Sequence, residues 1–299
     1  MIKEQIESVS KYADALIEVF DDYCDGKIII ASNKAFNLFE DMKTYLMQRY
    51  YGAYNKTFYY RIRKLKESES LSLERKELFH IPILKNYLVG AERYSMPGHP
   101  CLYLASQLPL AWYECNLPDK FVVAAFEFST DENSAIKLVD FSEKLVPLKH
   151  SFVSWFYNEQ DKMLVSKYLL KHLCTYPLRA ACSVVKEHPE GSFFEEYIVP
   201  QLLVQWIANN SDFDGISYES CSNNECVKSL CGYNVVLITK KFDSEGYDVV
   251  LRNNVKLGKP KVLSMTESNG VTDSSDKETS NTIKLFMLES SLSKDFASF

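Results

Sequence analysis

Thr57-Phe58-Tyr59-Tyr60-Arg61-Ile62-Arg63 is where the apolar spacing of this chain changes from a helical repeat to the two-residue repeat of a strand. Aromatic and β-branched residues fit a pleated, half-buried surface. Alternation puts Phe58, Tyr60 and Ile62 on one face and Tyr59, Arg61 and Arg63 on the other. Upstream the pattern is helical. Ile2, Ile6, Val9, Ala13, Leu16, Ile17 and Phe20 form one stripe. A second helix is expected from about Ser32, a candidate cap, with Ala35, Phe39, Met42 and Leu46 facing inward. Residues 1–55 thus read as an N-terminal helical extension.

Downstream, Pro82, Gly90, Pro97, Gly98 and Pro100 mark residues 79–100 as turns. Cys101 to Ala105 follows as a short strand, then Pro109 in the first turn of a helix carrying Trp112 and Glu114. Phe121 to Phe128 reads as a buried strand, and Asp140 as the end of another. Helical character is expected around Asp161–Cys174, within an insertion at 131–191, and over Phe193–Asn209 with a kink at Pro200. Strands are expected at Gly215–Glu219, Tyr233–Thr239 and Tyr247–Leu251, and a flexible polar loop at Thr266–Thr279, inside a C-terminal segment 266–299. Helices and strands without βαβ alternation imply an α+β fold around a twisted, largely antiparallel sheet.

Composition narrows the function. The chain has 299 residues, 46% hydrophobic and 25% charged, enough for a sizeable core. A net charge of −6 argues against a nucleic-acid track. There is no apolar leader at Met1-Ile2-Lys3-Glu4-Gln5 and no run long enough to span a membrane, so the expected setting is cytoplasmic, with the eight cysteines as free thiols. Cys221, Cys226 and Cys231 are spaced more widely than the pairs of zinc sites, and no metal site is expected. The five histidines show no triad or metal spacing, and no Gly-rich phosphate loop is present.

Three segments carry chemistry in a fixed order: Tyr60-Arg61; Gly90-Ala91-Glu92-Arg93-Tyr94-Ser95-Met96-Pro97-Gly98 running into Leu102-Tyr103-Leu104 and on to Glu114; and Asp214-Gly215-Ile216-Ser217-Tyr218-Glu219-Ser220. This ordered set resembles the RES-domain family, named for an Arg, a Glu and a Ser at such positions, over roughly residues 56–265. The resemblance implies an ADP-ribosyltransferase-like core and an NAD-consuming activity. It also implies toxin-like behaviour with an antitoxin protein as partner. Carried over by position, it implies catalytic roles for Arg61, Tyr103, Glu114 and Ser220, and substrate contacts for Arg93, Tyr60 and Tyr218.

Those residue types suit the chemistry. Nicotinamide leaves NAD as a neutral group, so the step needs a carboxylate against an oxocarbenium-like centre rather than a general acid. A guanidinium fork suits the diphosphate better than lysine. NAD is then the substrate, with water or inorganic phosphate as co-substrate and no resident cofactor. Two other readings stay open at this point: transfer of ADP-ribose to a macromolecule, and a non-catalytic interaction module of the same fold. Each residue alone has a plainer reading, Tyr103 as core and Glu114 as a solvated helix face.

Overall fold

The computed structural model describes residues 2–51, 58–65, 74–129, 136–142, 159–209, 212–265, 274–292 and 295–297. These form a mixed α+β fold whose open sheet is mostly antiparallel and is flanked by helices.

Two helices, α1 (Ile2–Cys24) and α2 (Ile28–Met42), lead into a short strand β1 (Gln48–Tyr51). Then come β2 (Phe58–Lys64), two 3-10 turns, β3 (Cys101–Ala105), α3 (Leu108–Glu114), β4 (Lys120–Phe128) and β5 (Ile136–Asp140). The chain continues through α4 (Glu159–Cys182), α5 (Ile198–Asn209), β6 (Gly215–Tyr218), α6 (Glu225–Ser229) and β7 (Asn234–Ile238). It closes with α7 (Val249–Asn254), β8 (Val255–Leu257), β9 (Lys261–Ser264) and α8 (Ser274–Glu289). Strand order is β1-β5-β6-β7-β3-β2-β4-β8, with β9 also pairing β4, and β5–β6 is the one parallel pair among the described strands.

Register sorts the side chains. Tyr59, Arg61 and Arg63 lie opposite Phe126, Ala124 and Val122, and paired residues share a face. That face is closed by Leu78, Phe79, Tyr247, Leu251 and Leu257. The other face carries Tyr60, Ile62, Tyr103, Val236 and Tyr218. It is covered in two parts, by α3 and α8 over β2 and β4, and by α1, α2, α4 and α5 over β6 and β7. The seam between those two covers runs above β3 and β7.

Two features of the sheet shape that seam. β2 and β3 touch at a single pair, Tyr60 with Ala105, while β2 and β4 pair along seven residues. The sheet therefore opens beyond Tyr60. Separately, Gly215 lets β6 approach β7 closely: a Cβ there would lie 2.0 Å from the Val236 carbonyl oxygen.

Several sequence expectations are corrected here. The 1–55 segment is not all helix: β1 follows α2 and pairs β5, and the N-terminal helices share one apolar core with the sheet. Helix α2 starts at Ile28, and Ser32 sits inside it, its hydroxyl donating to the Ile28 carbonyl. The region read as a helical insertion holds the sheet strand β5 ahead of α4; residues 130–135 and 143–158 lie outside the described residues. Pro200 falls in the first turn of α5, where no intrahelical N–H is lost, so the expected kink is replaced by a helix start. Val249-Val250-Leu251 is helical because the Asp248 carboxylate accepts from Leu251 N and caps it, and the strands come later, at β8 and β9. Of the polar stretch 266–279, residues 266–273 lie outside the described residues and the rest opens α8, which buries Leu285 against α3.

Candidate active site

Arg61 is set by β2 at the point where the sheet opens. Alternation aims it to the face of Tyr59, yet with β3 drawn away its guanidinium stays within electrostatic reach of Tyr103 and Cys115. Its Nη1 is buried and has no hydrogen-bond partner among the described residues. Burial pushes the guanidinium down to about 10, with the like charge of Arg63 acting the same way and Cys115 and Tyr103 opposing. A buried cation with a spare donor is costly unless something anionic completes it.

Tyr103 and Cys115 are the groups that oppose its burial, and further rings and carboxylates lie beyond them. Tyr103, on β3, donates from its hydroxyl to Ser95 Oγ at 3.2 Å, which ties the strand to the Glu92–Ser95 turn. That turn is clamped from α5, where Gln201 Nε2 donates to the Glu92 and Ser95 carbonyls. Tyr218 ends β6 and packs its ring 4.5 Å from that of Tyr94. Burial holds both Tyr103 and Tyr218 well above the usual phenol range, and Glu114 adds to the effect on Tyr218.

Glu114 is the last residue of α3 and is exposed, whereas the preceding Leu108–Tyr113 are buried. Asn234, the first residue of β7 and only 4% exposed, donates from Nδ2 to Glu114 Oε1 at 2.8 Å. Glu114 lies within electrostatic reach of Tyr218, Cys221 and Glu92. The Glu92 carboxyl is raised, first by desolvation and then by Glu114, with Lys186 opposing. Helix α3 is itself pinned from α8, where Glu289 accepts from Leu108 N.

Arg61, Tyr103, Tyr218, Glu114 and Arg93 are linked through this chain of neighbours. Arg93 is partly engaged in holding structure: Nη1 donates to the Cys182 carbonyl at 3.2 Å, and the guanidinium stacks 5.1 Å over the Tyr197 ring. Two residues sit differently from expectation. Tyr60 is buried in the core beneath α3, pushed up to about 12 by burial and by Glu289, and so faces away from Arg61. Ser220 lies two residues beyond β6, half-buried, and its Oγ accepts from Ser222 N; the bond that holds Glu114 comes from Asn234 instead.

A second polar cluster, not anticipated from sequence, is built on Asp140. Its carboxylate accepts from Arg49 Nε, from the Ser142 amide and hydroxyl, and from Ser217 Oγ, at 2.7–2.9 Å. The Arg49 guanidinium stacks 4.6 Å over Tyr233, whose hydroxyl bonds that of Tyr59. Among the described residues no group of His, Cys, Asp and Glu is arranged to hold a metal ion, and no helix is long and apolar enough to cross a membrane.

No family model matches the chain, and no solved structure matches it. A curated protein of Bacillus subtilis (strain 168), described as "Putative toxin YopC", is 25% identical over 225 residues, covering 74% of this chain and 50% of that protein. The chain spans about half the length of that relative. It is therefore distantly similar to a protein named as a toxin.

Proposed function

We propose that this protein breaks the nicotinamide–ribose bond of NAD, as the toxin-like RES resemblance implies, on an ADP-ribosyltransferase-like core. The observation that carries the reading is the half-buried Arg61, whose buried Nη1 has no partner among the described residues, within electrostatic reach of Tyr103 where β2 and β3 part. A diphosphate supplies the missing acceptors. Tyr103 and Tyr218 offer aromatic surface for the nicotinamide and ribose, and Glu114 presents an exposed carboxylate held by Asn234.

The chemistry balances without a metal or redox partner. The C1′–N bond breaks with its electron pair going to the nicotinamide ring nitrogen, which neutralises the leaving group. Glu114 opposes the positive charge that develops on the ribose. The new C1′–O bond comes from water, giving ADP-ribose, or from inorganic phosphate, giving its 1″-phosphate. Arg93 and Ser220 are assigned to substrate contact by the resemblance. The distant likeness to a protein named as a toxin fits an activity that drains NAD, with a partner protein that holds it in check.

Nicotinamide release from NAD by the purified protein, with and without phosphate, tests this. The expected result is release by the wild type and loss of at least about 10²-fold in Glu114→Gln with the fold intact. Label carried from NAD onto a macromolecule would favour ADP-ribose transfer instead. No release and no NAD binding would leave the non-catalytic module.

A further inference from the structure

We propose that Asn234 is a positioning residue for Glu114, fixing where its carboxylate sits for the bond cleavage proposed above, on which this inference rests. The contact is specific in its direction. An ionised carboxylate only accepts, so the amide NH2 of Asn234 faces it, at 2.8 Å. Asn234 is buried while Glu114 is exposed, so one oxygen is held from within the sheet and the carboxylate is presented outward. Glu114 needs such a partner. As the last residue of α3 it sits where unpaired helix carbonyls disfavour negative charge, and Glu92 lies within reach as a second carboxylate.

The backbone on both sides of the pair supports the assignment. Among the described residues three that are not glycine have positive φ: Asn116 at 58°, Leu117 at 52° and Cys231 at 51°. The first two follow Glu114 by two and three residues, and the third precedes Asn234 by three. A leucine in the left-handed region is unfavourable and persists only where surrounding packing holds it. Gly232 lies against the start of α3, a Cβ there being 2.9 Å from Gln107 Oε1 and 3.1 Å from Leu110 Cδ2. The segment leading to Asn234 is thus pressed onto the helix that carries Glu114. Both turns are bent toward one hydrogen bond whose partners are 120 residues apart.

The test uses the full chain and three variants: Asn234→Ala, Asn234→Asp, and Asn234→Asp combined with Glu114→Gln. Asn234→Ala is expected to lower kcat for NAD cleavage by about 10²-fold with KM nearly unchanged. Asn234→Asp places a like charge on Glu114 and is expected to move the acid limb of kcat/KM upward by about one pH unit or more. The double variant restores the hydrogen bond with donor and acceptor exchanged. It is expected to melt like the wild type yet stay as inactive as Glu114→Gln, which separates positioning of the carboxylate from mere attachment of α3 to β7. Wild-type turnover in Asn234→Ala, or superimposable pH profiles in Asn234→Asp, would overturn the proposal. Carboxyl 13C titration, with the Glu114 signal identified by its loss in Glu114→Gln, reads the contact without any turnover. If NAD is not cleaved even by the wild type but this signal moves to higher pH in Asn234→Asp, the NAD reading fails and the contact stands. If the signal does not move, Asn234 does not hold Glu114.

Discussion

Replacing Arg61 with methionine removes a buried charge while leaving a side chain of similar length in the opening between β2 and β3. In the free protein the guanidinium is a cost. Nη1 has no partner among the described residues, and burial disfavours the charged form strongly enough to push the group down to about 10, still charged at neutral pH. An unsatisfied buried donor costs about 1–3 kcal/mol, and a fully buried charged one costs more. The rest of the side chain is partly solvated, so a central figure of about 2 kcal/mol is appropriate. Arg61→Met is therefore expected to be more stable than the wild type. For 299 residues the unfolding entropy near 60 °C is about 0.6 kcal/mol/K, which makes the expected gain in Tm about 3 °C.

Ligand binding should reverse the order. ADP-ribose at about 100 times its Kd would stabilise the wild type by about 2.7 kcal/mol, or about 4 °C, and leave Arg61→Met unmoved. Differential scanning fluorimetry with and without ADP-ribose reads both effects on the same samples. If Arg61→Met melts at or below the wild-type temperature without ligand, the guanidinium is already satisfied within the protein and the anion-site reasoning is wrong. If ADP-ribose shifts both proteins equally, the diphosphate is held elsewhere.

Other expectations follow from the same geometry. His80 is 1% exposed, accepts at Nε2 from Asp248 N and donates from Nδ1 to the Ile81 carbonyl, and burial pushes it down to about 4. Because its folded value lies below the ordinary 6.5, the unfolded chain takes up the proton first; the stability it contributes is complete above about pH 6.5 and lost as pH falls to about 4, a span worth roughly 3 kcal/mol. Thermal melts across that window should fall less steeply in His80→Gln than in the wild type, and parallel slopes would show that His80 is not the group responsible. Gly215→Ala drives a Cβ into the Val236 carbonyl oxygen and should cost about 3 kcal/mol in chemical denaturation; a loss under about 0.5 kcal/mol would mean β6 moves freely. Glu289→Ala removes the acceptor for Leu108 N and should lower stability by about 1 kcal/mol and lower kcat as α3 loosens, whereas unchanged kinetics would detach α8 from the site.

Much of the sheet was legible because its strands obey local rules. Phe58–Lys64, Cys101–Ala105, Lys120–Phe128, Gly215–Tyr218 and Asn234–Ile238 alternate or run apolar, and Pro109 marks the start of α3. The misses have local causes too. Gln48-Arg49-Tyr50-Tyr51 is too short and polar to announce an edge strand, and only pairing with β5 makes it one. Val249-Val250-Leu251 has strand-like residues, but the Asp248 cap outweighs their propensity. Helix α8 looks like a polar loop because a few residues, Leu285 and Leu288 among them, carry its packing. At the candidate site the residue types were legible from their order along the chain. The holding contacts were not, since Glu114–Asn234 and Tyr103–Ser95 depend on tertiary placement. Asn234 leaves one signal, an amide opening the otherwise apolar run Val235-Val236-Leu237-Ile238.

The two polar clusters of the sheet differ in a way that separates scaffold from site. Around Asp140 four donors converge on one buried carboxylate, and they tie β1, β5 and β6 together with Ser142, two residues beyond β5. Such a satisfied carboxylate holds register between the strands. Around the opening between β2 and β3 the reverse holds. Among the described residues Arg61 Nη1 and Gln107 Oε1 are buried without partners, and three left-handed non-glycine residues flank the Glu114–Asn234 pair. Each such feature lowers stability, and chance would scatter them. Two of the three such buried atoms among the described residues, and all three left-handed non-glycine residues, fall on β2 and on the segments next to Glu114 and Asn234, which fits the ligand site proposed above; the third atom, Asp22 Oδ2, is on α1.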